Sequence, residues 1–195
     1  MKENEKKIEI PRNGRIGRFA KILEKEVNPD IVLDILDGWE DYKSYSSEKK
    51  AVWWKTATEI MEKELGEEKS IEIMKQCGSK CCGKGQRKTA KKMMDESESL
   101  EDFLEHFAHY GVKEGDLEFQ IINDKEFITI HNKCFCGQIK KLKGKLDTDT
   151  YCQCSVEFNR QFFQAAFDKP VEVELKQAIL KGAGCCKFHI RILDN

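Results

Sequence analysis

Cysteine is the residue type whose number and spacing point most clearly to chemistry in this sequence. Nine cysteines occur among 195 residues, and each has another within four positions along the chain. They are Cys77, Cys81, Cys82, Cys134, Cys136, Cys152, Cys154, Cys185 and Cys186. Adjacent and C-x-C cysteines form disulfides only with strain, so in a reducing compartment this clustering favours metal binding or redox chemistry.

The spacing of the cysteine pairs predicts that several thiolates converge. Cys134 and Cys136 share one face if the preceding strand continues through them. Cys77 and Cys81 stand one turn apart on a predicted helix. The Cys152–Cys154 segment directly precedes another helix, whose N-terminal dipole favours a thiolate. The candidate metal ligands on spacing are Cys77, Cys81, Cys134, Cys136, Cys152, Cys154 and, in a glycine turn, Cys185.

Zinc is the cofactor that this set of residues predicts, because zinc takes four tetrahedral ligands and binds thiolate well. An iron–sulfur cluster is the alternative, although the spacing matches neither common ferredoxin pattern. A single cysteine is also often just a small buried side chain, so core packing is the competing interpretation for each thiol. His131, three residues before Cys134, is the one histidine considered as a further ligand.

Hydrophobic periodicity predicts an α+β protein that is helical in its first half, residues 1–112. Apolar side chains recur there at helical spacing, and Asn28, Ser46 or Ser47, and Ser99 supply N-terminal caps. From Leu117 onward the period changes to alternation, which predicts an antiparallel β-β-α-β-β module over residues 113–195. The two parts are expected to pack together as one unit, with the helical half against the sheet.

Composition narrows the class of partner. The formal net charge is −1, which provides no general attraction to nucleic acid or to an anionic membrane surface. No run approaches the 18 apolar residues of a membrane span, and the stretch from Met1 to Glu9 lacks the apolar core of an export signal. A cytoplasmic location is therefore expected, and the sequence leaves the oligomeric state open, a homodimer included.

The second half of the chain also resembles known families. The matching segments are Tyr151-Cys-Gln-Cys, the phenylalanine-rich helix after it, Lys169-Pro-Val-Glu-Val-Glu and Gly182-Ala-Gly-Cys-Cys-Lys-Phe-His-Ile. Residues 115–193 resemble the 4-vinyl reductase-like superfamily of hydrocarbon-binding proteins and aromatic sensors, especially a cysteine-rich bacterial and archaeal group within it. They are also similar to the L-2-amino-thiazoline-4-carboxylic acid hydrolase-like family.

The resemblance to the aromatic sensors implies a particular zinc site. Cys152 or Cys154 would be the ligand before the helix, Glu174 the ligand in the next strand, and Cys185 the last. The remaining cysteine position of the sensors falls on Gln177, which is a departure from their pattern. Another cysteine would have to complete the site.

Two functions follow as expectations, with a third held as less favoured. The first is a zinc–thiolate protein that binds a small organic ligand, with Phe158, Phe162 and Phe163 lining the pocket unless they are ordinary core. The second, implied by the resemblance, is a hydrolase acting on a small cyclic C–N or C–S compound such as a thiazoline carboxylate. The third is redox chemistry at an iron–sulfur cluster.

Overall fold

Six helices form the first half of the protein in a computed structural model that describes residues 9–194. They are α1 Gly14–Glu26, α2 Pro29–Ile35, α3 Ser47–Leu65, α4 Glu67–Cys81, α5 Lys84–Asp95 and α6 Leu100–His109. The predicted caps are confirmed: the side chains of Asn28, Ser46 and Ser99 each accept a hydrogen bond from a backbone N–H three residues on, at 3.1 to 3.2 Å. Each cap satisfies a donor that the first helical turn leaves unpaired.

The second half contains a four-stranded antiparallel sheet and one long helix. The strands are β1 Leu117–Asn123, β2 Glu126–His131, β3 Val171–Gln177 and β4 Cys186–Ile192, and the helix α7 Gln153–Phe167 lies between β2 and β3 in the chain. The spatial order is β1-β2-β4-β3, with antiparallel pairing throughout. The α+β class and the β-β-α-β-β order are thus confirmed.

Helix α7 joins the two halves. It packs against β3 and β4 of the sheet and also against α4 and α5, and one buried apolar core continues from the helices into the sheet. The approach of α4 to α7 depends on Gly78, where an added Cβ would lie 2.2 Å from the carbonyl oxygen of Cys154. Only a residue without a side chain allows the two backbones to come this close.

Three local boundaries complete the description of the elements. Strand β2 ends at His131 and does not continue through Cys134 and Cys136, so both cysteines lie in a loop. Cys186 is the first residue of β4. Helix α5 begins at Lys84, so Gly85 lies inside its first turn, where an exposed glycine is tolerated.

Within residues 9–194, no helix is both long enough and apolar enough to cross a membrane. Residues 1–8, which make up nearly all of the stretch expected to lack an export signal, lie outside the described residues.

Candidate thiol-lined site

A cavity of about 370 Å³ lies where the N-terminal end of α7 meets the inner face of the sheet and the loop after β2. Its wall combines apolar side chains from α6, α7 and β4 with an unusual number of thiols. The cysteines in the wall are Cys81, Cys134, Cys136, Cys152, Cys154 and Cys186. The structure therefore brings six of the nine cysteines to one space, from α4, the loop after β2, the turn before α7, α7 itself and β4.

The loop that carries Cys134 and Cys136 is held against the helices by a short chain of hydrogen bonds. The indole Nε1 of Trp54 donates to the hydroxyl oxygen of Tyr42 at 2.8 Å. That hydroxyl donates in turn to Oε1 of Gln138 at 2.6 Å. Further along, the Tyr151 hydroxyl and the Cys136 sulfur lie 3.2 Å apart, within hydrogen-bonding distance for sulfur. The position of Cys136 is thus set by residues distant in the sequence.

Arg15, from the start of α1, places a positive charge among these thiols. Its Nη2 donates to the sulfur of Cys154 at 3.2 Å, and its side chain lines the cavity. Burial alone would lower the pKa of Arg15, but the ionisable groups of Tyr151, Cys154 and Cys136 raise it overall. The guanidinium is therefore permanently charged.

Cys154 itself is a neutral thiol at physiological pH. Its side chain is 3% exposed, and burial raises its pKa to about 12, although the charge of Arg15 acts to lower it. The position of Cys154 in the first turn of α7 does not offset this burial. Burial also raises the pKa of Tyr151 well above its usual range.

A second group of thiols lies on the sheet side of the cavity. The pKa of Cys134 is raised to about 11, mainly by burial, with smaller contributions from the neighbouring thiols of Cys136 and Cys186. The pKa of Cys152 is also raised, by burial and then by Cys154, Cys186 and Cys134. The backbone N–H of Ile179 donates to the Cys186 sulfur at 3.3 Å. These thiols are neighbours, and they are protonated at neutral pH.

The donors suit zinc by type, but their arrangement does not form a ready site. Within residues 9–194, no three side chains among His, Cys, Asp and Glu converge on a point that could hold a metal ion. The thiols surround a space instead of a single position. Arg15 beside Cys154 would also repel a cation bound at that end of the cavity.

His131 contributes a neutral imidazole to the same wall. It lies on β2 opposite Cys186 and between the rings of Phe135 and Phe188, whose centroids are 5.3 Å and 5.0 Å away. Burial lowers its pKa to about 4, and its buried Nε2 has no hydrogen-bond partner among the described residues. A buried nitrogen of this kind is unusual unless a ligand or water meets it.

Four of the residues expected at the site lie elsewhere. Cys77 and Phe163 are buried but do not line the cavity. The Phe163 ring packs on Phe127 instead, with centroids 5.2 Å apart. Cys185 also lies outside the wall, where its sulfur accepts a hydrogen bond from Gln177 Nε2 at 3.0 Å. The amide of Gln177 thus meets the Cys185 thiol where the aromatic-sensor pattern has a second cysteine.

Glu174, the expected carboxylate ligand, lies outside the cavity wall and is exposed. It points away from Leu175, which lines the cavity, because successive residues of a strand face opposite sides. Its side chain is 61% exposed and pairs with Lys176 at 2.5 Å. Phe158 and Phe162, by contrast, line the cavity as expected.

Comparison with known proteins assigns the family. A family model matches residues 18–195. The chain belongs to the family described as Family of unknown function (DUF6144). The match includes every thiol of the cavity, and it begins three residues after Arg15. No curated protein matches this DUF6144 chain.

Sequence reasoning missed Arg15 and Tyr151 and set Cys186 aside. Arg15 stands in a charged helix start, among Arg12 and Arg18, and nothing local distinguishes it from them. Cys186 is not among the predicted ligands, yet alternation along β4 with Phe188 and Ile190 places it on the inner face. Only the fold brings Arg15 to these thiols.

Proposed function

We propose that this DUF6144 protein binds a small organic molecule in the thiol-lined cavity. The observation that carries the proposal is a cavity of about 370 Å³ with a largely apolar wall and a few polar groups. Small-molecule sites commonly measure roughly 300–1,000 Å³ and combine an apolar lining with a few polar anchors. The size suits a ligand with one ring or a short chain.

The wall divides into an apolar part and a polar part. Phe107, Phe158 and Phe162 supply aromatic surface, with the rings of Phe107 and Phe162 5.2 Å apart. Arg15 and the neutral His131 supply polar groups that use few of their hydrogen-bonding positions within the described chain. A ligand with an apolar body and a polar substituent would satisfy both parts.

A plug in the cavity tests this function. Ser155, in the first turn of α7, lines the cavity, and Ser155→Trp would fill much of it. Gln164→Trp is the matched control, because Gln164 is exposed on the same helix. Native mass spectrometry of purified protein should show a bound small molecule in wild type and in Gln164→Trp, and none in Ser155→Trp. Equal occupancy in the plugged variant, with its helical circular dichroism intact, would reject the cavity as the binding site.

A zinc ion is the second candidate, and the neighbouring thiols of Cys134, Cys152 and Cys186 favour it. Zinc binding would require these protonated thiols to lose protons and to move toward a common point, since no ligand set is formed in residues 9–194. The iron–sulfur alternative makes the same demand of four thiols. Zinc held by cysteines alone would act structurally, since a closed tetrahedral site leaves no open position.

Metal content of the purified protein separates zinc from the ligand proposal. If zinc is bound, Cys152→Ser should remove it, and Cys185→Ser, outside the cavity, should keep it. Loss of zinc in Cys185→Ser alone would instead support the sensor-like set of ligands that the resemblance implies. Absence of both zinc and iron from protein prepared without chelator would remove the metal candidate.

Hydrolysis of a thiazoline-type compound gains less support than binding. A nucleophilic cysteine acts as the thiolate, whereas Cys154 is protonated at neutral pH. The nine cysteines are all free in the structure, which agrees with the proposed reducing, cytoplasmic location. The balanced charge of the chain favours a small ligand over nucleic acid or a membrane surface as partner.

A further inference from the structure

The guanidinium of Arg15 is a cation in the cavity wall for which residues 9–194 supply no carboxylate. Its hydrogen bond to a side chain goes to the Cys154 sulfur, at 3.2 Å. Arg12, three residues earlier, pairs with both oxygens of Glu24, at 2.9 and 3.2 Å. Arg12 is therefore paired with a carboxylate at the surface, whereas Arg15 has no carboxylate partner among residues 9–194 beside the cavity.

The thiol that Arg15 contacts does not provide the missing negative charge. Burial keeps Cys154 protonated at neutral pH, and the buried Tyr151 hydroxyl is protonated as well. Arg15 is partly buried, and a charge that is withdrawn from water without a counter-charge costs free energy. The arrangement is stable at lower cost when an anion enters the cavity and pairs with the guanidinium.

We infer that the ligand of this cavity is a small apolar organic acid whose carboxylate pairs with Arg15. This rests on the proposed function and names the class of ligand. A guanidinium presents five N–H donors in a planar fork that matches a carboxylate, and Arg15 donates one of them to Cys154. The body of the acid lies along Phe158 and Phe162, which line the same space.

A singly charged ligand fits better than a phosphate. Among residues 9–194, Lys133 is the other cationic side chain in the cavity wall, and it already pairs with Asp116 outside the cavity. Within that part of the chain, one uncompensated positive charge therefore faces the space. A doubly charged group would bring an excess negative charge into a largely apolar cavity, which is unfavourable without further donors.

Matched acids and amides test the inference. We would measure binding of 3-phenylpropionate and octanoate by calorimetry at pH 7, each beside its uncharged primary amide. The acids should bind wild type at least tenfold more tightly than the amides, in line with the strength of a charge-assisted hydrogen bond. Arg15→Gln should abolish this preference, and Arg18→Gln should keep it, because Arg18 is exposed on the same helix.

Thermal stability provides a second readout. If Arg15 had a purely structural role, Arg15→Gln would lower the unfolding temperature, whereas the inference predicts no decrease. Without ligand, Arg15→Gln should unfold at the same temperature as wild type or higher, because it removes an uncompensated charge. With 3-phenylpropionate, wild type and Arg18→Gln should gain thermal stability while Arg15→Gln should not. A ligand-free Arg15→Gln that unfolds well below wild type would show that the chain itself neutralises Arg15, which overturns the inference.

The remaining outcomes separate this inference from the proposed function. Equal binding of acids and amides, unaffected by Arg15→Gln but lost in Ser155→Trp, would keep the cavity as a binding site and overturn the role of Arg15. Failure of all four compounds to bind, together with equal occupancy in Ser155→Trp, would overturn both. Alkylation of Cys154 in the native protein with a pKa below about 8 would identify its thiolate as the counter-charge of Arg15 and also overturn the inference.

Discussion

Replacing Gly78 with alanine would test the contact that brings the thiols of α4 and α7 together. An alanine Cβ at this position would lie 2.2 Å from the carbonyl oxygen of Cys154 and 2.9 Å from its carbonyl carbon. Ordinary van der Waals contact begins at about 3.4 Å, so α7 would have to retreat by roughly 1 Å. The obstacle is backbone, which cannot rotate away as a flexible side chain would.

The size of the effect follows from two opposing contributions. Alanine is favoured over glycine inside a helix by roughly 0.5–1 kcal/mol. Overpacking a close contact typically costs about 1–3 kcal/mol, and a rigid backbone obstacle belongs in the upper part of that range. We therefore expect Gly78→Ala to lower the free energy of unfolding by about 1–2 kcal/mol. For a chain of this length, that corresponds to a fall in Tm of roughly 2–8 °C.

Urea unfolding followed by tryptophan fluorescence measures this change, and Gly85→Ala is the matched control. Gly85 also lies in a helix, but an added Cβ there meets no atom within 4 Å. Gly85→Ala should therefore leave stability unchanged or raise it by up to about 1 kcal/mol. Gly78→Ala should in addition weaken binding of organic acids, since it displaces Cys154 from its 3.2 Å contact with Arg15.

A specific result would refute this reasoning. If Gly78→Ala were as stable as Gly85→Ala and bound ligand with wild-type affinity, α4 and α7 could not approach each other as closely as the structure shows. The placement of Cys81 and Cys154 in one cavity wall would then not depend on the contact at Gly78. Lower stability with unchanged binding would show that Gly78 matters for helix packing and not for the ligand site.

Three further predictions concern local features of the fold and the cavity. Ser99→Ala should lower the free energy of unfolding by about 1 kcal/mol, because it removes the cap of α6; an unchanged urea midpoint would contradict it. The pKa of His131 is about 4 in the folded state, so the unfolded state takes up the proton first as pH falls from about 6.5 to 4. Stability should decrease over that window by up to about 3 kcal/mol, and His131→Gln, measured by urea unfolding at each pH, should lose that component. Phe162→Leu and Phe163→Leu should each cost roughly 1–3 kcal/mol in stability, while calorimetry should show weaker ligand binding for Phe162→Leu alone.

The elements of this fold could be predicted from the sequence because their signals are local. A cap such as Ser46 needs only the N–H three residues ahead of it, and alternation along β4 needs only neighbouring residues. Local signals left open whether β2 continues through the C-x-C segment. The strand ends at His131, and the loop after it is held by Tyr42 through Gln138.

The site was predictable only in part, for a related reason. Clustered cysteines indicated shared chemistry, and six of them do line one cavity. Helical spacing alone could not separate Cys77 from Cys81, which stand one turn apart on α4. The separation depends on where α7 crosses α4 at Gly78, since one thiol faces the core there and the other faces the cavity.

By itself the sequence determined the α+β class, the caps, the strand alternation and the close spacing of cysteines along the chain, because each of these depends on residues close together in the chain. The tertiary structure alone decided that Arg15 meets Cys154, 139 positions away. It also decided that the thiols surround a cavity rather than a metal position. Contacts of this kind follow from the packing of α1, α4 and α7 against the sheet, and no local pattern of residue types records that packing.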